Sequence, residues 1–348
     1  MRLSDFDFCL PPELIAQKPV PQRDQSRLMV VDRSTSRISH DLFANLSRYL
    51  KDHPLMVFND TRVMPAKLAG IIDETGRDVE VLLVREMEPG LWEALIKGLK
   101  RIKTNTRIVF AGGSLTAVLQ GRKDNLGILR LSHQGNLREI LSQAARMPLP
   151  PYIARQGPER EALEQMDRTR YQTVYAAKEG AIAAPTAGLH FTQKMIDEIG
   201  MGLADIAFIT LHVGVGTFMP VRSENAEQHR MESENYFISR ETWNKVVDAK
   251  KKGRHILAVG TTTTRVLESV CFDSPASGDV SGWTDAFLFP GKRFNTINHL
   301  LTNFHLPRST LFMLVSAFSS LDLMQKAYQE AIRDKYRFFS YGDAMLIL

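Results

Sequence analysis

The feature that most constrains the fold is a block of short strand-like runs in the middle of a chain that otherwise alternates strand and helix patterns. Turn signals such as Thr75-Gly76, Gly112-Gly113 and Asp124-Asn125 separate these runs. Many short strands at regular spacing predict a small barrel or sandwich. The runs cover residues 67–73, 78–86, 91–97, 107–110, 114–119 and 127–131.

The block ends in a stretch that limits where the domain can stop. A predicted helix over 136–146 is followed by Met147-Pro148-Leu149-Pro150-Pro151. Neither a helix nor a central strand accepts that run, because proline lacks the backbone N–H that both need. We therefore predict an inserted all-β domain at 61–155 and an α/β body made of residues 1–60 and 156–348. A chain of 348 residues exceeds one ordinary core, which agrees with two domains.

The two flanking pieces alternate apolar strands with amphipathic helices, which is typical of an α/β body. Predicted strands cover 28–31, 55–58, 204–213 and 255–259. Predicted helices cover 43–50, 192–200, 241–252, 261–270 and 320–336.

Composition and termini indicate a globular protein of a reducing compartment. Hydrophobic residues make up 44% of the chain, and only two cysteines occur, Cys9 and Cys271. Asp5 and Asp7 argue against a signal peptide at the start. The longest apolar run, 311–317, is interrupted by a serine and is too short to span a bilayer. We expect a cytoplasmic protein with no membrane contact.

Positive charge is concentrated in the predicted insert. Residues 62–155 hold 15 Lys+Arg against 9 Asp+Glu, whereas the rest of the chain holds 29 against 30. A basic segment on a near-neutral body fits a surface that binds a polyanion such as RNA, although a solvated face of a small domain would look the same. The candidate RNA-binding residues are Lys97, Lys100, Arg101 and Lys103.

Polar residues directly after a buried strand form the first candidate site segment. Asn59, Asp60, Thr61 and Arg62 follow the apolar run at 55–58. Open α/β sheets bind ligands at the carboxyl ends of their strands, so this segment is a candidate for substrate binding and catalysis. A capped turn is the alternative interpretation.

Two histidines stand in segments rich in small residues. The segment 180–192 contains Thr186 and Gly188 and ends near His190, and its small side chains would let a ligand approach the backbone. A structural histidine remains an alternative there. The segment 211–218 contains His212, Gly214 and Gly216, and it lacks the third glycine of a dinucleotide fingerprint.

Two further segments offer polar groups beside predicted helices. Thr261, Thr262 and Arg265 lie where a strand passes into a helix, so free N–H groups there could bind an anion, or the threonines could simply cap the helix. Asn303, His305 and Arg308 fall in a ten-residue polar run between apolar ones. The nine histidines form none of the usual metal-ligand spacings, so no metal is expected.

Taken together, these segments resemble the S-adenosylmethionine:tRNA ribosyltransferase-isomerase family of queuosine biosynthesis. The resemblance runs from Asp5-Phe6-Asp7 to Tyr341-Gly342-Asp343-Ala344-Met345, close to the whole chain. The matching pieces are 59–70 (NDTRVMPAKLAG), 148–153 (PLPPYI), 171–176 (YQTVYA), 180–192, 211–221 (LHVGVGTFMPV), 259–269 and 301–318. Two positions depart from the family: Glu232 stands where the run His-x-Met-His-Ser-Glu has its second histidine, and Ala286 replaces a more usual branched residue.

The resemblance implies both a fold and a reaction. The protein would be a monomer whose fold combines a barrel-like α/β body with an inserted β-barrel. The substrate tRNA would carry 7-aminomethyl-7-deazaguanine at its wobble position. The ribosyl group of S-adenosylmethionine would join that amine and rearrange to give epoxyqueuosine, with release of adenine and methionine. S-adenosylmethionine is then consumed as a substrate, and no cofactor is implied.

The chemistry of that reaction suggests residue types for each role. The sulfonium acidifies the neighbouring C5′ protons, so a general base can start the rearrangement. The acid–base candidates are His190, ranked first, and His212, Asp60, Glu234 and His305. Arg265 with the threonines, or Arg308, could hold the methionine carboxylate or a tRNA phosphate. Two rival functions stay open: a hydrolase or methyltransferase using the same cleft, and a non-catalytic RNA-binding module.

Overall fold

The structure is a computed structural model that describes residues 1–214, 216, 221 and 223–348. Among these residues, no helix is both long enough and apolar enough to cross a membrane. The strands are β1 (Arg27–Asp32), β2 (Arg37–Leu42), β3 (Leu55–Asn59), β4 (Thr61–Val63), β5 (Lys67–Ile72), β6 (Asp78–Glu88), β7 (Leu91–Ile96), β8 (Arg107–Phe110), β9 (Leu115–Lys123), β10 (Leu126–His133), β11 (Lys178–Ala181), β12 (Asp205–Leu211), β13 (Glu234–Ile238), β14 (Ile256–Val259), β15 (Val280–Thr284), β16 (His299–Asn303) and β17 (Ala344–Ile347).

The helices lie mainly in the second part of the body and begin at residues suited to that position. They are α1 (Leu137–Ala144), α2 (Arg160–Arg170), α3 (Gln193–Gly200), α4 (Arg240–Lys251), α5 (Thr261–Ser269), α6 (Thr310–Phe318) and α7 (Leu321–Arg333). Side-chain oxygens of Asn136, Thr192, Ser239, Ser309 and Ser320 accept the capping hydrogen bonds of α1, α3, α4, α6 and α7.

A nine-stranded mixed sheet forms the body, in the order β15-β13-β12-β3-β14-β16-β17-β1-β2. Its central strands β12, β3, β14 and β16 run parallel, and their buried residues form apolar layers on both faces. The last strand, β17, pairs with β1 on one side and β16 on the other. Both ends of the chain therefore meet inside one sheet.

The insert forms a closed barrel in the order β10-β7-β6-β5-β8-β9. Burial alternates along β10 and along the first half of β6, so every second side chain enters the barrel core. Gly70 shows how tightly that core is packed, because a Cβ there would lie 2.5 Å from the Phe110 ring. These strands supply the barrel with its own hydrophobic cluster, separate from those of the body.

The predicted fold class, an α/β body carrying an inserted β-barrel, is confirmed. The expected barrel-like body takes the form of a nine-stranded sheet whose end strands, β15 and β2, are not paired with each other in the part of the chain described. The predicted helix at 43–50 is a 3₁₀ helix, Phe43–Tyr49. The domain boundaries at 60/61 and 155/156 stay a prediction; Thr61–Val63, assigned to the insert, pairs in parallel with β11 of the body.

The carboxyl ends of the four parallel strands meet at one edge of the sheet. Asn59 ends β3, Leu211 ends β12, Val259 ends β14 and Asn303 ends β16. The candidate segments after these strands are thereby brought together, as the sequence pattern predicts for an open α/β sheet.

Candidate active site

Two cavities lie at this edge of the sheet. The interdomain cavity, about 1000 Å³, lies between the barrel and the body, with Glu93 and Trp92 on the barrel side and Glu234 and His212 on the body side. The body cavity, about 480 Å³, is lined by residues of the body and of the proline-rich run before α2. Val213 lines both cavities, so they are neighbours with a shared wall.

His212 is the candidate histidine that lines the interdomain cavity. It is half-buried on the wall of the interdomain cavity, and its Nδ1 is 2.8 Å from Thr61 Oγ1 in a hydrogen bond. Gly180, with a φ of +149°, packs against the ring, because a Cβ there would lie 2.8 Å from an imidazole carbon. Burial lowers the pKa of His212, and the charge of Asp60 opposes that shift. Its Nε2 has no hydrogen-bond partner among the described residues.

The strand-end residues Asn59, Asp60 and Thr61 lie behind His212 rather than on a cavity wall. Asn59 is fully buried and clamps β12, because its side chain accepts from the Leu211 N–H at 3.0 Å and donates to the Leu211 carbonyl at 3.1 Å. Burial raises the pKa of the Asp60 carboxyl, although the Thr210 hydroxyl donates to it at 2.6 Å. The geometry supports a positioning role for these residues.

Glu234 and Arg265 form a buried ion pair beside the interdomain cavity. Both side chains are about 95% buried, with exposures of 5% and 4%. The second Glu234 oxygen accepts the Gly214 N–H at 2.8 Å, and Arg265 Nε donates to the Ala286 carbonyl at 3.0 Å. The pair therefore ties the end of β12 to α5, and Arg265 lines neither cavity.

Glu232, at the position where this chain departs from the family, lies on the wall of the interdomain cavity. Burial raises the pKa of its carboxyl, and the charges of Glu234, Glu93 and Asp124 raise it further, against a hydrogen bond from the Gly216 backbone. Gly216 lies against this side chain, with 3.1 Å between a Cβ built there and Glu232 Cβ. Val215 and residues 217–220 of the predicted segment 211–221 lie outside the described residues, as does Arg222 just after it.

The barrel contributes side chains that the sequence did not single out. Arg85, Glu93 and Lys123 line the interdomain cavity, and both cations pair with the Glu93 carboxylate, at 2.9 Å and 3.4 Å. Trp283 of the body's edge strand β15 lines the same cavity. Only their position in space connects these residues, so no motif could have predicted them.

The amino terminus of α5 points toward the body cavity. Gly260, with a φ of +95°, and the first two helical residues, Thr261 and Thr262, line it. No side chain caps this helix, so its first N–H groups are available to an anionic ligand. Thr186 also lines the cavity, and the Asn59 amide donates to Thr262 Oγ1 at 3.3 Å.

The predicted polar run 301–310 also lines the body cavity. His305 is buried, its Nε2 is 2.9 Å from Thr302 Oγ1, and burial lowers its pKa to about 3. The Asn303 amide donates to the Phe339 carbonyl at 2.9 Å. Arg308 lines the same cavity and pairs with Asp7.

His190 lines neither of the two large cavities. Its Nδ1 hydrogen-bonds to Ser26 Oγ at 2.7 Å, its Nε2 is 3.4 Å from Asn303 Oδ1, and its ring packs on Phe43. Burial lowers its pKa to about 4. Gly188 faces Tyr175, whose hydroxyl would lie 1.9 Å from an added Cβ. The geometry favours the structural alternative for His190 and Gly188, and their roles in catalysis and substrate binding stay predictions.

The remaining predicted residues lie on the surface. Lys97, Lys100, Arg101 and Lys103 are all exposed around the turn that joins β7 to β8, and Arg62 is exposed and donates to the Ala176 carbonyl. In the residues that the structure describes, one group of three side chains has metal-ligand spacing, namely His40, Glu330 and Asp334. Arg333 already donates to Asp334 at 2.8 Å, which disfavours a cation there.

This chain is similar to known proteins over nearly its whole length. The family model described as queuosine biosynthesis protein matches residues 3–347. Proteins named S-adenosylmethionine:tRNA ribosyltransferase-isomerase from Halothermothrix orenii, Caldanaerobacter subterraneus subsp. tengcongensis and Staphylococcus haemolyticus are 46%, 48% and 49% identical, with 100% of both chains covered in each pair. The crystal structure of S-adenosylmethionine tRNA ribosyltransferase from Thermotoga maritima is similar with a TM-score of 0.56 at 36% identity, covering 99% of this chain and 100% of that one.

Proposed function

Because this chain belongs to the queuosine biosynthesis family, we propose that it transfers and isomerises the ribosyl group of S-adenosylmethionine onto 7-aminomethyl-7-deazaguanine at the tRNA wobble position. The products are epoxyqueuosine in tRNA, free adenine and methionine. The observation that carries the proposal is the full-length match, residues 3–347, to relatives named for this ribosyl transfer and isomerisation.

The body cavity suits S-adenosylmethionine. Its volume of about 480 Å³ falls in the range of small-molecule sites. The uncapped amino terminus of α5, at Gly260 to Thr262, offers N–H groups and a positive dipole end to the methionine carboxylate. The aromatic side chains of Tyr152 and Phe339, both partly exposed in the wall with ring centroids 4.2 Å apart, provide apolar surface for adenine.

The interdomain cavity suits the acceptor nucleoside. This cavity, between the barrel and the body, is about twice as large as the body cavity. We place a loop of the substrate tRNA at its opening. Glu93 and Glu234 in its wall are already paired with cations, and the carboxyl group of Glu232 is the one there that favours a base carrying an aminomethyl cation. Val213 lines both cavities, so the two proposed binding sites are adjacent, and the reaction requires the amine and the ribosyl carbon to meet beside this residue.

His212 is the residue best placed to remove a C5′ proton. The Thr61 hydroxyl donates its proton to the Lys178 carbonyl, 3.5 Å away, so its oxygen accepts a hydrogen bond from the protonated Nδ1 of His212. In that tautomer the Nε2 atom of His212 carries a free lone pair. Burial lowers the pKa of His212, so the imidazole is neutral at neutral pH and can accept a proton. The carbanion left beside the sulfonium then starts the rearrangement.

The other two proton transfers need a donor and an acceptor. Adenine leaves more readily when its ring accepts a hydrogen bond, and the neutral imidazole of His305 in the body cavity is a candidate N–H donor. The attacking ammonium must lose a proton to become a nucleophile. Glu232 lines the interdomain cavity, and its raised pKa suits it to accept that proton.

The reaction in this form consumes S-adenosylmethionine and requires no cofactor or metal ion. We infer a cytoplasmic enzyme, as expected from the composition, and a monomer, as the family resemblance implies. The assay is incubation with S-adenosylmethionine and the modified tRNA, followed by product analysis without added metal or nicotinamide. Adenine and methionine are expected. S-adenosylhomocysteine would instead show a methyltransferase, and tRNA binding without turnover would show a pure RNA-binding module.

The exposed cations of the barrel, Lys97, Lys100, Arg101 and Lys103, are proposed contacts to tRNA phosphates. Each contact releases counterions, so replacing all four by alanine should lower both tRNA affinity and the log–log salt slope, by about one unit for each lost phosphate contact. Filter binding over a salt series measures both quantities. An unchanged slope would show that tRNA docks on another face of the protein.

A further inference from the structure

Trp283 is an exposed aromatic side chain at the mouth of the interdomain cavity. It lies on β15, the edge strand of the body's sheet, and 55% of the residue is accessible to solvent. The other two tryptophans differ in this respect: Trp92 is 5% exposed, and Trp243 packs on Phe272. A large aromatic surface left open beside a cavity is typical of a binding surface.

Arg85 of the barrel reaches across the cavity mouth to this ring. Its guanidinium carbon lies 5.6 Å from the centroid of the Trp283 ring. The guanidinium is held in place by Glu93, because Nε donates to one carboxylate oxygen at 3.1 Å and Nη2 lies 2.9 Å from the same oxygen in an ion pair. The two domains therefore place a cation and an aromatic face on opposite sides of one opening.

Two more cations line the same cavity from the barrel side. Lys123 lies 3.4 Å from Glu93, and Arg138 lies 3.6 Å from Glu179 of the body; both cations are exposed. The carboxylates of Glu86 and Asp124 also lie in this wall, so positive charge does not dominate it. An aromatic face and a few paired cations suit one nucleotide better than a long stretch of phosphates.

The proposed reaction supplies a reason for such a nucleotide. The wobble base must leave the anticodon-loop stack to enter the cavity, as in other enzymes that modify a base. Its neighbour in the loop then loses a stacking partner. Single-stranded RNA bases commonly stack on exposed aromatic side chains, and arginine beside the ring adds a contact to the base or phosphate.

We propose that Trp283, with Arg85 beside it, stacks the anticodon-loop base next to the modified wobble nucleoside and so positions that nucleoside in the interdomain cavity. This inference rests on the proposed function. It makes Trp283 a positioning residue for tRNA and leaves the S-adenosylmethionine site untouched.

The test is a thermodynamic cycle on the full-length protein with the modified tRNA. Trp283→Ala should weaken tRNA binding by about 5- to 100-fold, the range of base–aromatic stacking. Trp283→Phe should retain most of the affinity. An abasic site on the 5′ or the 3′ side of the wobble nucleoside should weaken binding to the wild type and have much less effect on Trp283→Ala.

Controls separate stacking from a loss of structure. Met201→Ala removes another exposed apolar side chain, 84% accessible, and should leave tRNA affinity unchanged. For Trp283→Ala, the KM for tRNA should rise while the KM for S-adenosylmethionine and the thermal midpoint stay near wild type. Additive losses at both abasic positions, or a lower thermal midpoint with normal affinity, would overturn the inference. A wild type that releases no adenine would instead contradict the proposed function, and the cycle would still report on stacking.

Discussion

The surroundings of His190 and His212 differ in the one respect that decides what a histidine can do. His190 is buried under Phe43 with both ring nitrogens near partners in the core. His212 has one nitrogen tied to Thr61, and its ring lies on the wall of the interdomain cavity. Both histidines occur in segments of small residues, yet only the second is placed to exchange protons with a ligand. Glycines near a histidine therefore indicate close packing against the backbone, but they do not indicate whether a ligand or a core side chain packs there.

The largest effect expected from this comparison is on turnover. His212→Ala should lower the rate of adenine release by about 10²- to 10⁴-fold, the usual contribution of a general base. Binding of S-adenosylmethionine and tRNA should change little. His190→Gln, measured below its own melting temperature, should keep most of the wild-type rate. A larger loss of turnover in His190→Gln than in His212→Ala would instead identify His190 as the acid–base residue.

The position of His212 also predicts how the reaction depends on pH. His212 acts as a base only when neutral, and burial lowers its pKa below the ordinary 6.5. The acid limb of kcat/KM should therefore lie below pH 6.5 and should be absent from the residual activity of His212→Ala.

An intermediate effect is expected on stability. The pKa of His190 is about 4 in the folded protein and near 6.5 when unfolded, so the unfolded chain binds the proton first. Stability should be complete above pH 6.5 and should fall as the pH drops toward 4, by about 3 kcal/mol for this group. Denaturant unfolding across that range should show a shallower pH dependence for His190→Gln. The pH dependence that remains in this variant should come from His305 and His299, whose pKa values are lowered to about 3 and about 4. Equal slopes for both proteins would contradict this assignment.

The smallest effect concerns the group behind His212. Thr61→Val removes the hydroxyl bonded to Nδ1 and should lower turnover by about tenfold, the value of one hydrogen bond, while Thr61→Ser should restore it. The pH profile should shift with Thr61→Val, because the imidazole loses its fixed tautomer. A stability loss shared by Val and Ser, with no change in the profile, would point to packing alone.

Much of the fold could be predicted from local patterns. The strands of the barrel were recognisable because glycine and Asn/Asp punctuation separates short alternating runs, and β8 matches its predicted bounds, Arg107–Phe110. The proline run 147–151 predicts an end of the insert for a reason of covalent chemistry, and that boundary stays a prediction. Most of the other body strands were not predicted, because they are short and many pair with partners distant in the sequence; these are β2, β4, β11, β13, β15, β16 and β17.

The candidate site was predictable only in part. Segments after strands β3, β12, β14 and β16 meet at one sheet edge, as expected from the parallel arrangement. Which histidine faces the cavity could not be predicted, because burial of a ring depends on its tertiary neighbours. The contributions of Arg85, Glu93 and Trp283 come from two domains and carry no shared motif.

The position of β17 has a consequence for synthesis on the ribosome. All six barrel strands lie between Lys67 and His133, so the barrel can close while the rest of the chain is still being made. The body sheet cannot be completed until residues 344–347 have been made, because β17 fills an interior place between β1 and β16. Before that point β1 and β16 each keep one unpaired edge. Loss of β17 would therefore leave a gap within the sheet, whereas loss of the edge strand β2 would only narrow it.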